Sequence, residues 1–331
     1  MVKKEIIHSP EYQFLWEEPR LKHLVLLGLG GSHAYGTNTP TSDLDIRGIA
    51  GNSATDILLG RDFEDFMNNP TDTVVYSLNK MFKLLSNCNP NTIEILGLRP
   101  EQYLYLTPVG EELIRSSEIF LSKRCINTFG GYANQQLYRL NQKTLTVMEK
   151  TEYNQHTAKV LNKIATKFES MFGITPDKLT ARTDENGDLV LDINLNNFPA
   201  TSVTAMLSEL NQTIRDYCEP SKRNRKAETH NKIAKHSMHL IRLYLMCIDL
   251  LEKHEIVTYR EDEHDLLMSI RNGEFLAEDG RPNEDFFKLV KEYESKWEEA
   301  SKTTTLPEHP NQDAIDKLLC KFNSMIVNGA F

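Results

Sequence analysis

Along the first third of the chain, apolar positions come in short runs and alternations; beyond it they recur mostly at helical spacing. Leu24 to Leu29 is an apolar run ending at Gly30-Gly31-Ser32, which predicts a strand followed by a glycine turn. After a small polar loop the pattern alternates. A strand from Leu44 to Ile49 would put Asp43, Asp45 and Arg47 on one face and Leu44 and Ile46 on the other. "DTVVYSL", Asp72 to Leu78, is β-branched and aromatic and predicts a third strand. "NKMFKLLSN" has helical spacing, and "NPNTIEILGL" predicts a second short helix entered through Pro90. Thr107 can cap a helix with Pro108 at its first position, and long helical patterns dominate from there. Asn186-Gly187 between alternating segments signals a β-hairpin inserted among the helices. "CEPSKRNRKAETHNK" reads as a polar connector, and a last helix follows "TTTLPEHPN". The expected class is α+β: a small mixed-sheet domain over residues 1–110, then a mainly helical domain over 111–331 that carries the hairpin.

With 331 residues the chain can build two cores, and 40% hydrophobic with 26% charged residues is a globular composition. Its apolar runs are too short or interrupted to span a bilayer, and "MVKKEIIHSPEYQF" has no apolar signal core. The expectation is a cytoplasmic protein without a membrane partner. Cys88, Cys125, Cys218, Cys247 and Cys320 are scattered and never in CxxC spacing, so they read as free thiols. A net charge of -9 argues against binding nucleic acid through a global positive field, but leaves room for a local basic site.

Two carboxylates on one strand face call for a cation. Magnesium, with manganese as a substitute, takes carboxylate oxygens and keeps positions for water and phosphate, which makes Asp43 and Asp45 metal ligands. Asp72, opening the third strand, is the choice for a third acid, in competition with Asp62, Glu64 and Asp65. Gly30 and Gly31 let backbone N–H groups approach an anion, and the Ser32 hydroxyl adds a donor, so the turn suits the β and γ phosphates of a nucleoside triphosphate. It is neither a Walker A loop nor a dinucleotide fingerprint. Taken singly, a Gly-Ser turn is an ordinary turn and a surface Asp-x-Asp an ordinary solvated pair; their order and spacing carry the signal.

That order resembles the nucleotidyltransferase core of the DNA polymerase β superfamily: Gly-Ser, then Asp-x-Asp, then a later acid. "GGSHAYGTNTPTSDLDIRG", "DTVVYSLNKMFKLLSNCNPNTIEILG", "FLSKRCINTFGGYANQQL", "KHSMHLIRL", "SIRNGEF" and "LPEHPN" together resemble the RNA repair pathway DNA polymerase β family. The resemblance implies transfer of a nucleoside monophosphate from an NTP such as ATP to a hydroxyl, with an RNA end as acceptor. Gly31 and Ser32 would hold the triphosphate, and Asp43 and Asp45 the metal. Two alternatives stand beside it: transfer to a protein hydroxyl, as in small toxin-like relatives of this core, and a non-catalytic nucleotide sensor. Arg47 has two readings, an ion pair with Asp45 or a phosphate contact. His33 and Tyr35 shape the turn, with contact to the substrate as a second reading for His33. Residues 150–225 match no motif of the family.

From Lys232 to Leu251 one arc of a helix carries Lys232, Lys235, His236, His239 and Arg242, and the opposite arc Ile233, Leu240, Ile241, Tyr244, Ile248 and Leu251. The basic arc is expected to line a cleft, with Lys235, His239 and Arg242 on nucleotide or acceptor phosphates. As charges on the solvated side of a helix they should contribute little to stability. His236 and His239 have zinc-compatible spacing without a third ligand. Lys123 and Arg124 are further cleft candidates. Lys222, Arg223, Arg225 and Lys226 form the densest basic patch, in the connector, and Arg271 with Gly273 reads as a helix end.

Overall fold

The computed structural model describes residues 4–145, 179–186, 188–194, 230–278 and 280–331, with Asn154, Gln155, Ala158, Asn162 and Val203 besides. By packing, the chain forms two compact units: the first comprises Met1–Asn134, Met238–Ser269 and Lys288–Phe331, the second Gln135–Ser237 and Ile270–Phe287.

The first unit is built on a mixed five-stranded sheet, with strands β1 (His23–Leu29), β2 (Ile46–Gly51), β3 (Asp65–Asn68), β4 (Thr73–Ser77) and β5 (Tyr103–Leu106) in the order β3-β4-β2-β1-β5. β1 pairs antiparallel with β2 and β5, β2 runs parallel to β4, and β3 is antiparallel to β4. Three strands follow from the apolar pattern. β3 and β5 are short and lie at the sheet edges, where a four-residue run leaves too little alternation to read. β2 starts at Ile46, so Asp43 and Asp45 sit in the extended segment leading into it.

β1 is buried at nearly every position because both faces of the sheet are covered. One face packs Leu24, Leu27, Ile46, Ala50 and Val75 under the N-terminal Ile7, Tyr12, Leu15 and Leu21. The other carries Val25, Leu26 and Ile49 beneath the helix Leu78–Ser86. That helix starts on Ser77, whose hydroxyl accepts from Lys80 N, and its Phe82 meets Phe120 and Phe322 edge-on at 5.4 and 6.2 Å.

The same core takes in Leu243, Met246, Cys247 and Leu250 from the helix His230–Glu252, and Ile315, Phe322 and Ile326 from the last helix, Gln312–Val327. Packing therefore does not break near residue 110, where the sequence pattern changes: one face of the sheet is sealed by helices that follow much later in the chain. Thr107 caps the helix Pro108–Arg115 as its sequence predicts, its hydroxyl accepting from Gly110 N at 3.2 Å.

In the second unit, Leu179–Thr183 and Leu189–Ile193 form the expected antiparallel hairpin. Its connection is closed by the Asp184 carboxylate, which accepts from Asn186 N and Asp188 N at 2.9 and 2.8 Å. Among the described residues, no helix is long and apolar enough to cross a membrane.

Candidate active site

β1 runs into a single short helix, Gly31–Tyr35, with Gly30 as its N-cap. Gly36 ends it at φ 75°, its N–H returning to Ser32 O, and the Tyr259 ring occupies the space a side chain at Gly36 would need. The far end is held by Gln102, whose Nε2 donates to the carbonyls of His33 and Ala34, both at 2.9 Å.

Gly31 has φ 54°, and a Cβ there would overlap Asp45 Oδ2; one at Gly30 would lie 3.1 Å from Arg47 Cγ and 3.3 Å from Asp45 Cβ. Gly30 N donates to Asp45 O at 2.8 Å. The two glycines thus serve a use the sequence does not disclose: they let the Asp-x-Asp segment lie directly on the turn. Ser32, one residue on, is 8% exposed.

Asp43 is exposed and Asp45 half-buried. Arg47 Nη2 stands 3.8 Å from Asp45 Oδ1, while its Nη1 donates to Asp72 O at 2.8 Å and Ile46 O at 3.1 Å. Arg47 therefore ties the start of β2 to the residue before β4, a backbone role beside the loose ion pair.

Asp72 lies one step ahead of the parallel pair Ile46 and Thr73, at the same end of the sheet as Asp45. Its backbone is left-handed, φ 48°, which takes its exposed side chain out of the alternation of β4. The competing acids are elsewhere. Asp65 pairs with Tyr76 toward the other end of β4, Glu64 binds Lys80 Nζ at 2.9 Å, and Asp62 accepts from Asn52 Nδ2 at 3.1 Å. Among the described residues, no three His, Cys, Asp or Glu side chains converge as a metal-holding group.

A second layer lies behind the turn. The Tyr35 hydroxyl donates to Glu94 Oε2 at 2.5 Å, and the Arg242 guanidinium stacks on the Tyr35 ring, 3.5 Å from its centroid. Arg242 Nη2 is 2.7 Å from His239 Nδ1, and the His239 ring meets Tyr132 edge-on at 5.7 Å. Burial pushes the Glu94 carboxyl above its ordinary range, against the opposing fields of Arg242 and Arg47 and with the repulsion of Asp45. Burial likewise pushes the Tyr35 phenol well up, with Glu94 adding to the effect.

Arg242 is 8% exposed, which corrects the expectation that it stands on the open side of a cleft-lining arc and adds little to stability: from Met238 to Leu251 the helix is buried nearly all round, and the guanidinium lies behind the turn, against the Tyr35 ring. Lys235 is exposed and lies in the second unit, as does His236, whose Nδ1 is 3.4 Å from Gln136 Oε1.

Glu94 is the residue the sequence reading passes over. Its signal is a lone acid inside the apolar string Ile93-Glu94-Ile95-Leu96, a position that buries a carboxyl group. Lys123 pairs with Glu308 at 2.6 Å, and Arg124 donates to Ser86 O and Asn87 Oδ1 at 3.2 and 3.3 Å, so neither joins the acids. Arg271 closes the helix His264–Arg271 and Gly273 follows at φ 91°, the helix end expected. Lys222, Arg223, Arg225 and Lys226 lie outside the described residues, as does the side chain of Lys232.

Residues 13–165 match the model of the RNA repair pathway DNA polymerase beta family. The matched segment holds the turn, the Asp-x-Asp segment, Asp72 and Glu94, and stops short of Arg242. This likeness to DNA polymerase β-like nucleotidyltransferases supports a nucleotidyltransferase activity at the level of reaction class. The chain is also 37% identical over 82 residues to an uncharacterized 38.9 kDa protein of the nrdC-mobD intergenic region of Enterobacteria phage T4; the match covers 22% of this chain and 24% of that relative. No solved structure matches the chain.

Proposed function

We propose that this protein transfers a nucleoside monophosphate from a nucleoside triphosphate to a hydroxyl acceptor and releases pyrophosphate. The observation that carries the reading is the direct seating of Asp45 on the Gly30-Gly31 turn, which sets a carboxylate beside the backbone that is to receive the triphosphate.

The donor set suits magnesium or manganese: hard carboxylate oxygens on Asp43 and Asp45, both with access to solvent, against a cradle that any Cβ would fill. When bound, the cation would neutralise phosphate charge and polarise the α-phosphoryl group. Asp72, brought to the same end of the sheet, is the proposed third acid and the base that takes the proton of the attacking hydroxyl. The N–H groups of Gly31 and Ser32 and the Ser32 hydroxyl hold the β and γ oxygens of the triphosphate, Gly30 N being bonded to Asp45 O. Arg47 holds the Asp72 backbone carbonyl beside Asp45, which keeps the segments that carry the two acids together. Tyr35, Glu94 and Arg242 support the turn from behind.

The proposed acceptor is an RNA end, on the strength of the matched family's description. Incubation with each labelled triphosphate, a divalent cation and a mixed RNA and protein pool tests the reading. Label in RNA that disappears with Asp45→Asn is the expected result. Label in protein would move the acceptor to a protein hydroxyl, and no label in either would leave a nucleotide-sensing module.

A further inference from the structure

The first unit contains a cavity of about 540 Å³, between the helix Leu78–Ser86, the last helix and the segment that follows the helix Ala54–Leu58. It lies past the C-terminal end of β2, since Asn52, directly after that strand, donates to its wall residue Asp62. Asp45 lies before the opposite end. At about 3.3 Å per residue, the six residues of β2 separate the two on the order of 20 Å.

Three cations line it: Arg61, Lys83 and Arg124. None is within ion-pair distance of an acid among the described residues, in a chain of net charge -9. Among the described residues, Arg124 bonds protein through Nη1 alone, to Ser86 O and Asn87 Oδ1. The two acids in the wall are already engaged, Asp62 by Asn52 Nδ2 and Glu64 N, and Asp316 by Gln312 Nε2 at 2.7 Å.

The floor is different. Ile57, Phe82, Ile315 and Leu319 make it apolar, and Asn323, which donates to Asn79 Oδ1 at 3.4 Å, keeps a buried Oδ1 with no hydrogen-bond partner among the described residues. Cations at the rim and an apolar floor together fit a ligand with an anionic group and an apolar body. The volume falls in the range of small-molecule sites, about 300–1,000 Å³.

We propose that this cavity binds a phosphorylated small molecule of mononucleotide size, at a site separate from the acids of the turn. Calorimetric titration of the full chain with AMP, and separately with inorganic phosphate, tests it without any assay of transfer. The expected result is saturable AMP binding, tighter than phosphate, that weakens at least tenfold in Lys83→Glu and persists in Ser32→Ala and Asp45→Asn. Lys83 and Arg61 are exposed, so their variants should melt as the parent does; Lys83→Gln and Arg61→Gln repeat the measurement with a milder change. AMP affinity unchanged by the cation variants overturns the proposal, whatever Ser32→Ala does. So does the absence of saturable AMP binding, or phosphate binding as tightly as AMP.

Discussion

Replacing Gly31 with alanine isolates the contact on which the candidate active site rests. The residue holds φ 54°, a left-handed conformation that costs an L-residue about 1–2 kcal/mol. The new Cβ would also overlap Asp45 Oδ2 and lie 2.9 Å from its Cγ, so the aspartate must leave its place at roughly 0.5–1.5 kcal/mol for a strained rotamer. Gly60→Ala supplies the control, because Gly60 is also left-handed, φ 65°, but a Cβ added there would meet nothing within 4 Å. Urea unfolding should show Gly60→Ala losing about 1 kcal/mol and Gly31→Ala about 2–3 kcal/mol at unchanged slope. Pyrophosphate release should fall by about a hundredfold in Gly31→Ala alone, since a displacement of about 1 Å in a reacting constellation costs that much. Equal stability losses together with undiminished release in Gly31→Ala would refute both the seating of Asp45 on the turn and its part in the chemistry.

Asp43→Asn and Asp45→Asn should each abolish transfer with little change in melting temperature, as neither side chain is buried; near-normal release in either would remove that residue from the metal site. Ser32→Ala should weaken triphosphate binding by about 1.5–3 kcal/mol and monophosphate binding less, and calorimetry showing equal losses would move the phosphates elsewhere. Arg242→Gln should lower stability by about 2 kcal/mol, from the lost cation–π stack on Tyr35 and the lost bond to His239 less the relieved desolvation; an unchanged melting temperature would contradict its burial. Glu94 gives a pH signature: the folded state keeps its proton to higher pH than the unfolded chain, so its stabilising contribution is full below the ordinary value of 4.5 and is lost as pH rises through the raised folded value. Melting temperatures of the parent should therefore fall relative to Glu94→Gln between pH 4.5 and neutrality, and a difference constant with pH would place the carboxylate in a solvated position.

The central strands were legible because Leu24 to Leu29 and Thr73 to Ser77 carry runs of apolar and β-branched residues long enough to exclude other readings. Asp65–Asn68 and Tyr103–Leu106 were not, since edge strands of four residues take their pairing from a neighbour and leave little trace in their own composition. The change of pattern near residue 110 is real as secondary structure. It says nothing about packing, because the sheet face carrying Val25, Leu26 and Ile49 must be covered by some apolar surface and the local helices do not suffice; residues after 238 supply the rest.

The site divides in the same way. What local spacing encodes, a strand, a Gly-Gly-Ser turn and two acids two residues apart, could be read directly, and the structure brings Gly31 against Asp45. What encodes Arg242 is tertiary. A helical wheel gives the arc on which a cation lies but not whether that arc meets water or the ring of a tyrosine more than 200 residues away in sequence. Burying the guanidinium beside Glu94 and Tyr35 answers a need that the turn creates: the Tyr35 hydroxyl, carried inside by the helix Gly31–Tyr35, requires an acceptor. Supplying that acceptor as a carboxyl group brings a potential negative charge into the core, and a cation placed over the ring limits its cost. The sequence distance between these partners ties the turn to the late helix, so loosening Arg242 should be felt first at Gly31 and Ser32, where the proposed phosphate contacts are made.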